Sequence, residues 1–284
     1  PGAFVIVTGE TSVTASTIVR PSSLDEDFTT SIEAEVNGLE AYEFGFGTAF
    51  FDMDNDADQD LYWLGSLAAR GEGPQGDFAP GIGRLLQNDG NGAFMDVTAE
   101  AQIIDSLAVD YSVLDPDDND FNASKQRIGV EFHENGKGVA IGDLNGDGFI
   151  DVIGTNSNGE TFDAEGERAV ASGPLFVWMN SGGDNHWVSF SLRGRMAIDG
   201  TGSNADAIGA KIAVSYKSAS GETIVQTNEV LGSSSFLSMS SLDAHFGVAT
   251  AESVDVTVEW PSGRTTVLNG VDVNQIQELI EPAS

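Results

Sequence analysis

Residues 47–63 read GTAFFDMDNDADQDLYW, and residues 138–154 read GVAIGDLNGDGFIDVIG. Each segment has a short apolar run, then Asp or Asn at alternate positions, then a second apolar run. Short apolar runs bounded by turn residues are typical of β-strands. Each segment therefore predicts a strand, an acidic loop and a second strand, and the pair indicates an internal repeat.

The acidic loops carry oxygen atoms at a spacing that suits a calcium ion. Ca²⁺ takes about six to eight oxygen ligands in a flexible shell, and short side chains at alternate positions let the backbone wrap around it. In the first loop we predict carboxylates from Asp52, Asp54, Asp56 and Asp60, and the backbone carbonyl of Asp58. In the second loop we predict Asp143, Asn145, Asp147, the carbonyl of Phe149, and Asp151.

An ion would also remove an electrostatic difficulty in the first loop. Its five carboxylates lie within nine residues and repel one another unless a cation lies among them. The alternative for either loop is a solvated acidic turn that binds nothing. Mg²⁺ fits less well than Ca²⁺, because it requires a stricter octahedron and keeps its waters.

A second pattern follows each acidic segment, namely a strand that ends in Asn and Gly, at residues 84–92 and 175–183. A unit of about four strands is thus predicted twice. Residues 105–136, between the units, are polar and irregular, and we interpret them as an inserted surface loop. Asp115, Asp117 and Asn119 leave a decayed third acidic loop as the alternative.

The rest of the chain predicts an all-β protein. Its 34 glycines, recurring Asn-Gly and Asp-Gly pairs and short runs rich in Val, Ile and Thr favour strands and tight turns. Helix is expected at residues 31–39, with a turn near residues 99–103. The acidic repeats stop near Gly183, so we predict a repeat region at residues 1–183 and a second domain at residues 184–284.

Composition excludes several classes of partner and site. Lys and Arg number 12 against 45 Asp and Glu, a net charge of −33, which disfavours nucleic acid and anionic membrane surfaces as partners. The absence of cysteine excludes disulfides and thiolate sites. No apolar run approaches the roughly 20 residues of a membrane span. The chain begins at Pro1 without an initiator Met, and we expect a processed or truncated product.

Two known families resemble the two parts of the chain. FGTA at residues 46–49 and GVAIGD at residues 138–143 resemble the opening strands of FG-GAP repeats of the VCBS kind. The C-terminal part of the chain resembles the ASPIC/UnbV domain. The segments that carry this resemblance are NHWV at residues 185–188, AIGAKI at 207–212, SSSFLS at 233–238, HFGV at 245–248 and VEWPSGR at 258–264. Repeats followed by this domain are similar to the arrangement in the cartilage acidic protein family and its bacterial relatives.

The resemblance implies a β-propeller-like repeat region, then a small β-sandwich or barrel-like domain, in a secreted protein. A closed propeller generally needs about four to eight blades, whereas two repeats are legible in this sequence. Either the other blades have diverged, or the chain is a fragment, or the ring is not closed. Open blades expose sheet edges. We therefore expect a homo-oligomer or filament in which such edges, and an N-terminal strand at residues 3–7, pair with a neighbouring copy.

These features favour a secreted calcium-binding structural or adhesive protein, extracellular or at the cell surface, with no catalytic site. A carbohydrate-binding or surface-recognition module that contacts an extracellular protein or glycan is the alternative. A hydrolase using the acidic loops is a third reading. However, residues 233–235 lack a nucleophile elbow, and the histidines lack metal-ligand spacing. We expect structural roles for His186, His245, Trp63, Trp178, Trp187 and Trp260.

Overall fold

The computed structural model describes residues 13–14, 45–70, 77–80, 83–98, 100–103, 135–157, 159–162, 168–171, 173 and 175–283. Their regular structure consists of strands and one 3₁₀ turn at Arg195–Ala197, which confirms the all-β prediction. The turn expected near residues 99–103 is present, since Ala101 N donates to Val97 O at 2.8 Å. The predictions for residues 3–7, 31–39 and 115–119 lie outside the described residues.

Two sets of strands follow one another along the chain. The strands of the repeat region are β1 (Val13–Thr14), β2 (Gly45–Phe51), β3 (Asp60–Gly65), β4 (Leu67–Arg70), β5 (Asp77–Pro80), β6 (Arg84–Asn88), β7 (Phe94–Asp96), β8 (Asn135–Gly142), β9 (Asp151–Ser157), β10 (Gly159–Phe162), β11 (Arg168–Ala171) and β12 (Leu175–Trp178). The strands of the C-terminal module are β13 (His186–Arg193), β14 (Lys211–Lys217), β15 (Thr223–Glu229), β16 (Ala244–Ala249), β17 (Ser253–Glu259), β18 (Thr265–Asp272) and β19 (Gln275–Ile280).

The first unit of the repeat region is a sheet in the order β1-β7-β6-β3-β2. Strands β2, β3, β6 and β7 are successive antiparallel neighbours, and β1 adds to the outer edge in parallel with β7. This is the predicted four-stranded unit, extended by one short strand. The hairpin β4-β5 lies between β3 and β6 in the chain.

The second unit repeats the pairing of the first but has fewer strands. Its sheet has the order β12-β9-β8, and the hairpin β10-β11 occupies the same place in the chain as β4-β5. The prediction of a second four-stranded unit is therefore wrong by one strand among the described residues. The physical reason is that the chain after β12 passes directly into β13, which pairs in a sheet of the C-terminal module.

The two units share one apolar core. It includes Phe51, Tyr62 and Leu85 from the first unit and Val139 and Val152 from the second. The inner strands β2 and β8 approach so closely that a Cβ atom on Gly47 would come within 2.6 Å of the Val139 side chain. The sheets in the described residues are open, and they form neither a closed barrel nor a ring of blades. The propeller-like arrangement therefore stays a prediction.

The C-terminal module consists of two sheets around a separate core. One sheet has the order β16-β13-β19 and the other β15-β14-β17-β18. Both β14 and β17 alternate buried and exposed residues along their length, as expected for half-buried strands. Val188, Phe190 and Phe246 from the first sheet meet Val214 and Val256 from the second in this core.

The predicted boundary at Gly183 lies between β12 and β13, where the chain leaves one set of sheets for another. The tryptophans have the structural roles expected of them. Trp63, Trp187 and Trp260 are buried, and Trp178 is partly buried with its ring 5.6 Å from that of Tyr62. Among the described residues, no helix is long and apolar enough to cross a membrane.

Candidate metal centre

The first acidic loop connects β2 to β3 and folds around its own carboxylates. The pairing of Phe51 with Asp60 closes the loop. Within it, Asp52 accepts from Asp56 N at 3.0 Å and from Ala57 N at 2.9 Å. Asp60 accepts from Met53 N at 2.8 Å. These bonds draw both ends of the loop towards one point.

Three carboxylates of this loop form a cluster that could hold a metal ion. One oxygen each from Asp52, Asp54 and Asp60 lie within 4.8 Å of one another. Asp52 is 4% exposed and Asp60 is 1% exposed. In the part of the chain that the structure describes, no other three acidic or histidine side chains come as close together.

One oxygen of the cluster is buried without a hydrogen-bond partner. Asp54 Oδ2 accepts from the Gln87 side chain at 2.8 Å, whereas Asp54 Oδ1 is buried and accepts no hydrogen bond. An unpaired buried carboxylate oxygen is costly unless a cation satisfies it. The donor set therefore fits a hard cation, which prefers oxygen ligands.

The electrostatics of the loop point the same way. Burial raises the pKa of Asp52 to about 8, with repulsion from Asp56, Asp60 and Asp54 adding to the effect. Burial likewise raises the pKa of Asp60 to about 7, although hydrogen bonds from Met53 N and Asn88 N work against it. A cation among these groups would favour their charged forms.

The remaining two acidic residues of the loop take different positions. Asp56 Oδ1 accepts from Asp58 N at 2.9 Å, which tightens the turn. The Asp58 side chain reaches across to the loop after β6, where a Cβ atom on Gly90 would overlap its carboxylate. The structure thus brings together three of the four carboxylates predicted as ligands, and the side chain of Asp58, which was predicted to offer only its backbone carbonyl, lies near Gly90 instead.

The second acidic loop, between β8 and β9, repeats this hydrogen-bond pattern. Asp143 accepts from Asp147 N at 3.1 Å and Gly148 N at 2.8 Å, as Asp52 does from the equivalent amides. Asp151 accepts from Leu144 N at 2.8 Å and from Asn180 N at 2.7 Å. In the first loop, Asp60 has the matching bonds to Met53 N and Asn88 N. The internal repeat therefore extends to the backbone geometry of the loops.

The second loop differs in exposure. Asn145 and Asp147 are exposed and hydrogen bond to each other at 2.8 Å. Phe149 is buried, and its amide donates to Asp147 at 2.9 Å. The five predicted ligands lie around one turn, but their carboxylates do not meet as closely as those of Asp52, Asp54 and Asp60.

Two left-handed residues shape each loop. They are Asn55 (φ 59°) and Ala57 (φ 85°) in the first, and Gly146 (φ 77°) and Gly148 (φ 87°) in the second. Glycine adopts these angles without steric cost, and asparagine tolerates them better than other residues do. The glycines of the second loop were the sequence signal for this turn, and Asn55 stands in the equivalent place.

The role of Asn55 in packing was missed by the sequence reasoning. Its side chain is completely buried, and its contacts reach the second loop and the C-terminal module. Asn180 and Asn185 also donate to the first loop, to Met53 O at 2.7 Å and Asp54 O at 2.9 Å. The alignment of Asn55 with Gly146 indicates its left-handed backbone, but no local pattern in the sequence indicates its burial or its distant partners.

The other residues considered for chemistry have structural contacts. His186 Nδ1 lies 2.8 Å from Ala251 O, and His245 lies in β16, as expected for a structural histidine. Ser234 hydrogen bonds to Ser240, and Ser235 accepts from Thr48 N at 3.0 Å. Ser235 therefore connects the C-terminal module to β2 of the repeat region, whereas the Ser234 bond lies within the C-terminal module.

Comparison with known proteins gives two matches. Residues 200–284 match the family described as ASPIC and UnbV, which confirms that part of the predicted resemblance. A stretch of 150 residues, 52% of this chain, is 31% identical to cartilage acidic protein 1 of Homo sapiens and covers 19% of that protein. The match thus spans about a fifth of the human protein's length, and the FG-GAP assignment of the repeat region stays a prediction.

Proposed function

We propose that this protein is a secreted, calcium-binding structural or adhesive protein whose ions stabilise the strand connections of the repeat region. The observation that carries the proposal is the carboxylate cluster of Asp52, Asp54 and Asp60, with one buried oxygen of Asp54 left unpaired. Carboxylates that are buried this close together repel one another when they are charged. A bound cation would offset both this repulsion and the cost of burying the charges.

In this proposal each loop wraps one calcium ion. The first ion is held by the carboxylates of Asp52, Asp54, Asp56 and Asp60 and the carbonyl of Asp58. The second is held by Asp143, Asn145, Asp147, Asp151 and the carbonyl of Phe149. Calcium supplies charge neutralisation and cross-links two strand ends, and the flexible loops suit its variable shell better than that of Mg²⁺.

Thermal unfolding with and without calcium tests this proposal. An ion that binds the folded state alone stabilises it by about 2.7 kcal/mol at a hundredfold excess over its Kd. We expect EDTA to lower the melting temperature markedly at constant ionic strength, and calcium to restore it. Asp60→Asn should remove much of this response. Asp184→Asn, which removes the same charge from an exposed residue outside the loops, should not.

An unchanged melting curve in EDTA would contradict calcium binding. If Asp60→Asn and Asp184→Asn reduced the calcium-dependent rise in melting temperature equally, the rise would depend on net charge and not on a site in the loop.

The extracellular location and assembly are supported by broader features. The net charge of −33 and the similarity of part of the chain to cartilage acidic protein 1 favour an exported acidic protein. The sheet edges that are open among the described strands favour pairing with a second copy. Light scattering of the calcium-loaded protein should give a mass above 29.8 kDa, and a monomer at all concentrations would contradict assembly.

A surface-recognition function is the second candidate, and a cleft favours it. A space of about 440 Å³ lies between the repeat region and the C-terminal module, lined among others by Phe50, Gln59, Asn228 and Asp243. Phe50 is 61% exposed. An exposed aromatic ring beside amide and carboxylate groups suits a sugar ring. Binding on a glycan array that Phe50→Ala abolishes would support this function, and an empty array would count against it.

A further inference from the structure

Asn55 occupies a central position in the first acidic loop. It lies between Asp54 and Asp56, two of the proposed ligands, and its exposed fraction is 0%. Its backbone has φ 59°, so its side chain points in a direction that a right-handed residue would not give it. Whatever holds Asn55 therefore also fixes the backbone that carries both neighbouring carboxylates.

Three hydrogen bonds hold Asn55, and none comes from its own loop. Its Nδ2 donates to Gly148 O of the second loop at 3.0 Å. Its backbone carbonyl accepts from Ala249 N at 2.9 Å. Its Oδ1 lies 2.9 Å from His245 Nε2. Two of the three partners are residues of β16 in the C-terminal module.

The direction of the His245 bond follows from the others. A backbone carbonyl accepts only, so Gly148 O requires the amide NH₂ of Asn55 to face it. Oδ1 then faces His245 and must accept. His245 therefore carries its proton on Nε2 and donates it to Asn55.

Strand β16 also sets the shape of the loop by close approach. The His245 ring stacks on Trp187, with centroids 5.9 Å apart. Gly247 lies two residues after His245 in the same strand, and a Cβ atom there would overlap both Asp52 Oδ2 and the Asn55 backbone. The first acidic loop thus packs closely against β16 of the C-terminal module, with no room for a side chain at Gly247.

We propose that Asn55 and His245 are positioning residues for the cation site of the first loop, through which the C-terminal module holds that site in its binding conformation. This inference rests on the proposed calcium binding. Neither side chain belongs to the proposed ligand set. Their hydrogen bond fixes the turn between Asp54 and Asp56, so less conformational freedom is lost when the ion binds.

Calorimetric titration of the full chain with calcium tests the inference. The starting chain and every variant carry Asp147→Asn, which weakens calcium binding by the second loop so that the first loop can be titrated alone. Asp60→Asn is then added as a control, because heat that it abolishes comes from calcium binding to the first loop. We expect Asn55→Gly, which keeps the left-handed backbone, and His245→Phe, which keeps the ring, to weaken calcium binding about tenfold. That factor corresponds to about 1.4 kcal/mol.

Two further variants separate positioning from general stability. His245→Gln offers an amide donor in the place of Nε2, and it should restore calcium affinity to within about threefold of the starting chain. His186→Phe alters a histidine of the neighbouring strand β13 that bonds within the C-terminal module. It should leave calcium affinity unchanged even if it lowers the melting temperature.

The possible results distinguish failure of calcium binding from failure of the positioning role of Asn55 and His245. If the starting chain gives no heat that Asp60→Asn removes, the proposed function fails, and the inference fails with it. If calcium binds but Asn55→Gly and His245→Phe bind it equally well, the inference alone is overturned. Failure of His245→Gln to recover affinity would also overturn it. Should His245→Phe not fold, as judged by near-UV circular dichroism, Asn55→Gly decides.

Discussion

At the scale of single residues, Glu281 is a buried carboxylate whose pKa is lowered, whereas that of Asp52 is raised. It follows β19 and is 1% exposed. It accepts from Ser203 N at 2.7 Å, Arg195 N at 3.0 Å and Arg264 Nη1 at 3.0 Å, and also from the Ser262 hydroxyl. Burial works to raise its pKa, but these donors outweigh burial and hold the pKa at about 2. Glu281 therefore connects the end of β19 to two loops, the one between β13 and β14 and the one between β17 and β18.

The pH dependence of stability should report Glu281. A carboxylate whose pKa is lowered on folding stabilises the folded state above its unfolded pKa, and the contribution is lost as pH falls through the folded value. For Glu281 that window runs from 4.5 down to about 2. Glu281→Gln should cost about 2–3 kcal/mol at neutral pH, and the cost should shrink towards pH 2.

Urea unfolding at several pH values would measure this difference. Glu278→Gln on the same strand is the control, because its ion pair with Arg193 is long, at 3.7 Å, and exposed. It should change stability little at any pH. A Glu281→Gln cost that stays constant from pH 7 to pH 2 would contradict the assignment.

At the scale of elements, the second acidic loop is shaped by its contact with β13. Gly146 and Gly148 both have positive φ, but their surroundings differ. A Cβ atom on Gly146 would meet nothing within 4 Å, whereas one on Gly148 would overlap the Trp187 ring. The two glycines therefore separate the cost of the backbone angle from the cost of packing.

The matched substitutions give a prediction for this contact. Gly146→Ala should cost about 1 kcal/mol, the strain of a left-handed alanine. Gly148→Ala carries the same strain and also displaces Trp187, so it should cost about 3 kcal/mol or more and shift the tryptophan fluorescence. Equal costs in chemical unfolding would mean that the loop does not pack on Trp187 in solution.

The elements also divide what the sequence predicts from what it does not. The strand–loop–strand units, the turn positions and the half-buried strands β14 and β17 follow from local patterns of two to nine residues. Asn55 could not be placed in the same way, because its partners Gly148 and His245 lie 93 and 190 residues away. The second unit has no fourth strand among the described residues because the chain after β12 continues into β13, which pairs with β16 and β19, and these lie far along the sequence.

At the scale of the whole molecule, net charge opposes folding. A charge of −33 on 284 residues gives long-range repulsion that is larger in the compact state. Salt shortens the Debye length from about 30 Å at 0.01 M to about 10 Å at 0.1 M. Screening should therefore stabilise the protein even when no calcium is present.

We expect the melting temperature in EDTA to rise when sodium chloride is raised over this range. Choline chloride at the same ionic strength should have the same effect, since screening does not depend on the identity of the cation. A rise with sodium alone would indicate direct sodium binding in the acidic loops instead. No rise with either salt would mean that self-repulsion contributes little to stability.

The bond from His245 to Asn55 has a consequence for biosynthesis. Translation proceeds from the amino terminus, so Asn55 leaves the ribosome 190 residues ahead of its partner. During that interval the acidic turn lacks both of its anchors in β16. Its final conformation is thus reached only after β16 has emerged, so maturation of the turn follows synthesis of this part of the C-terminal module.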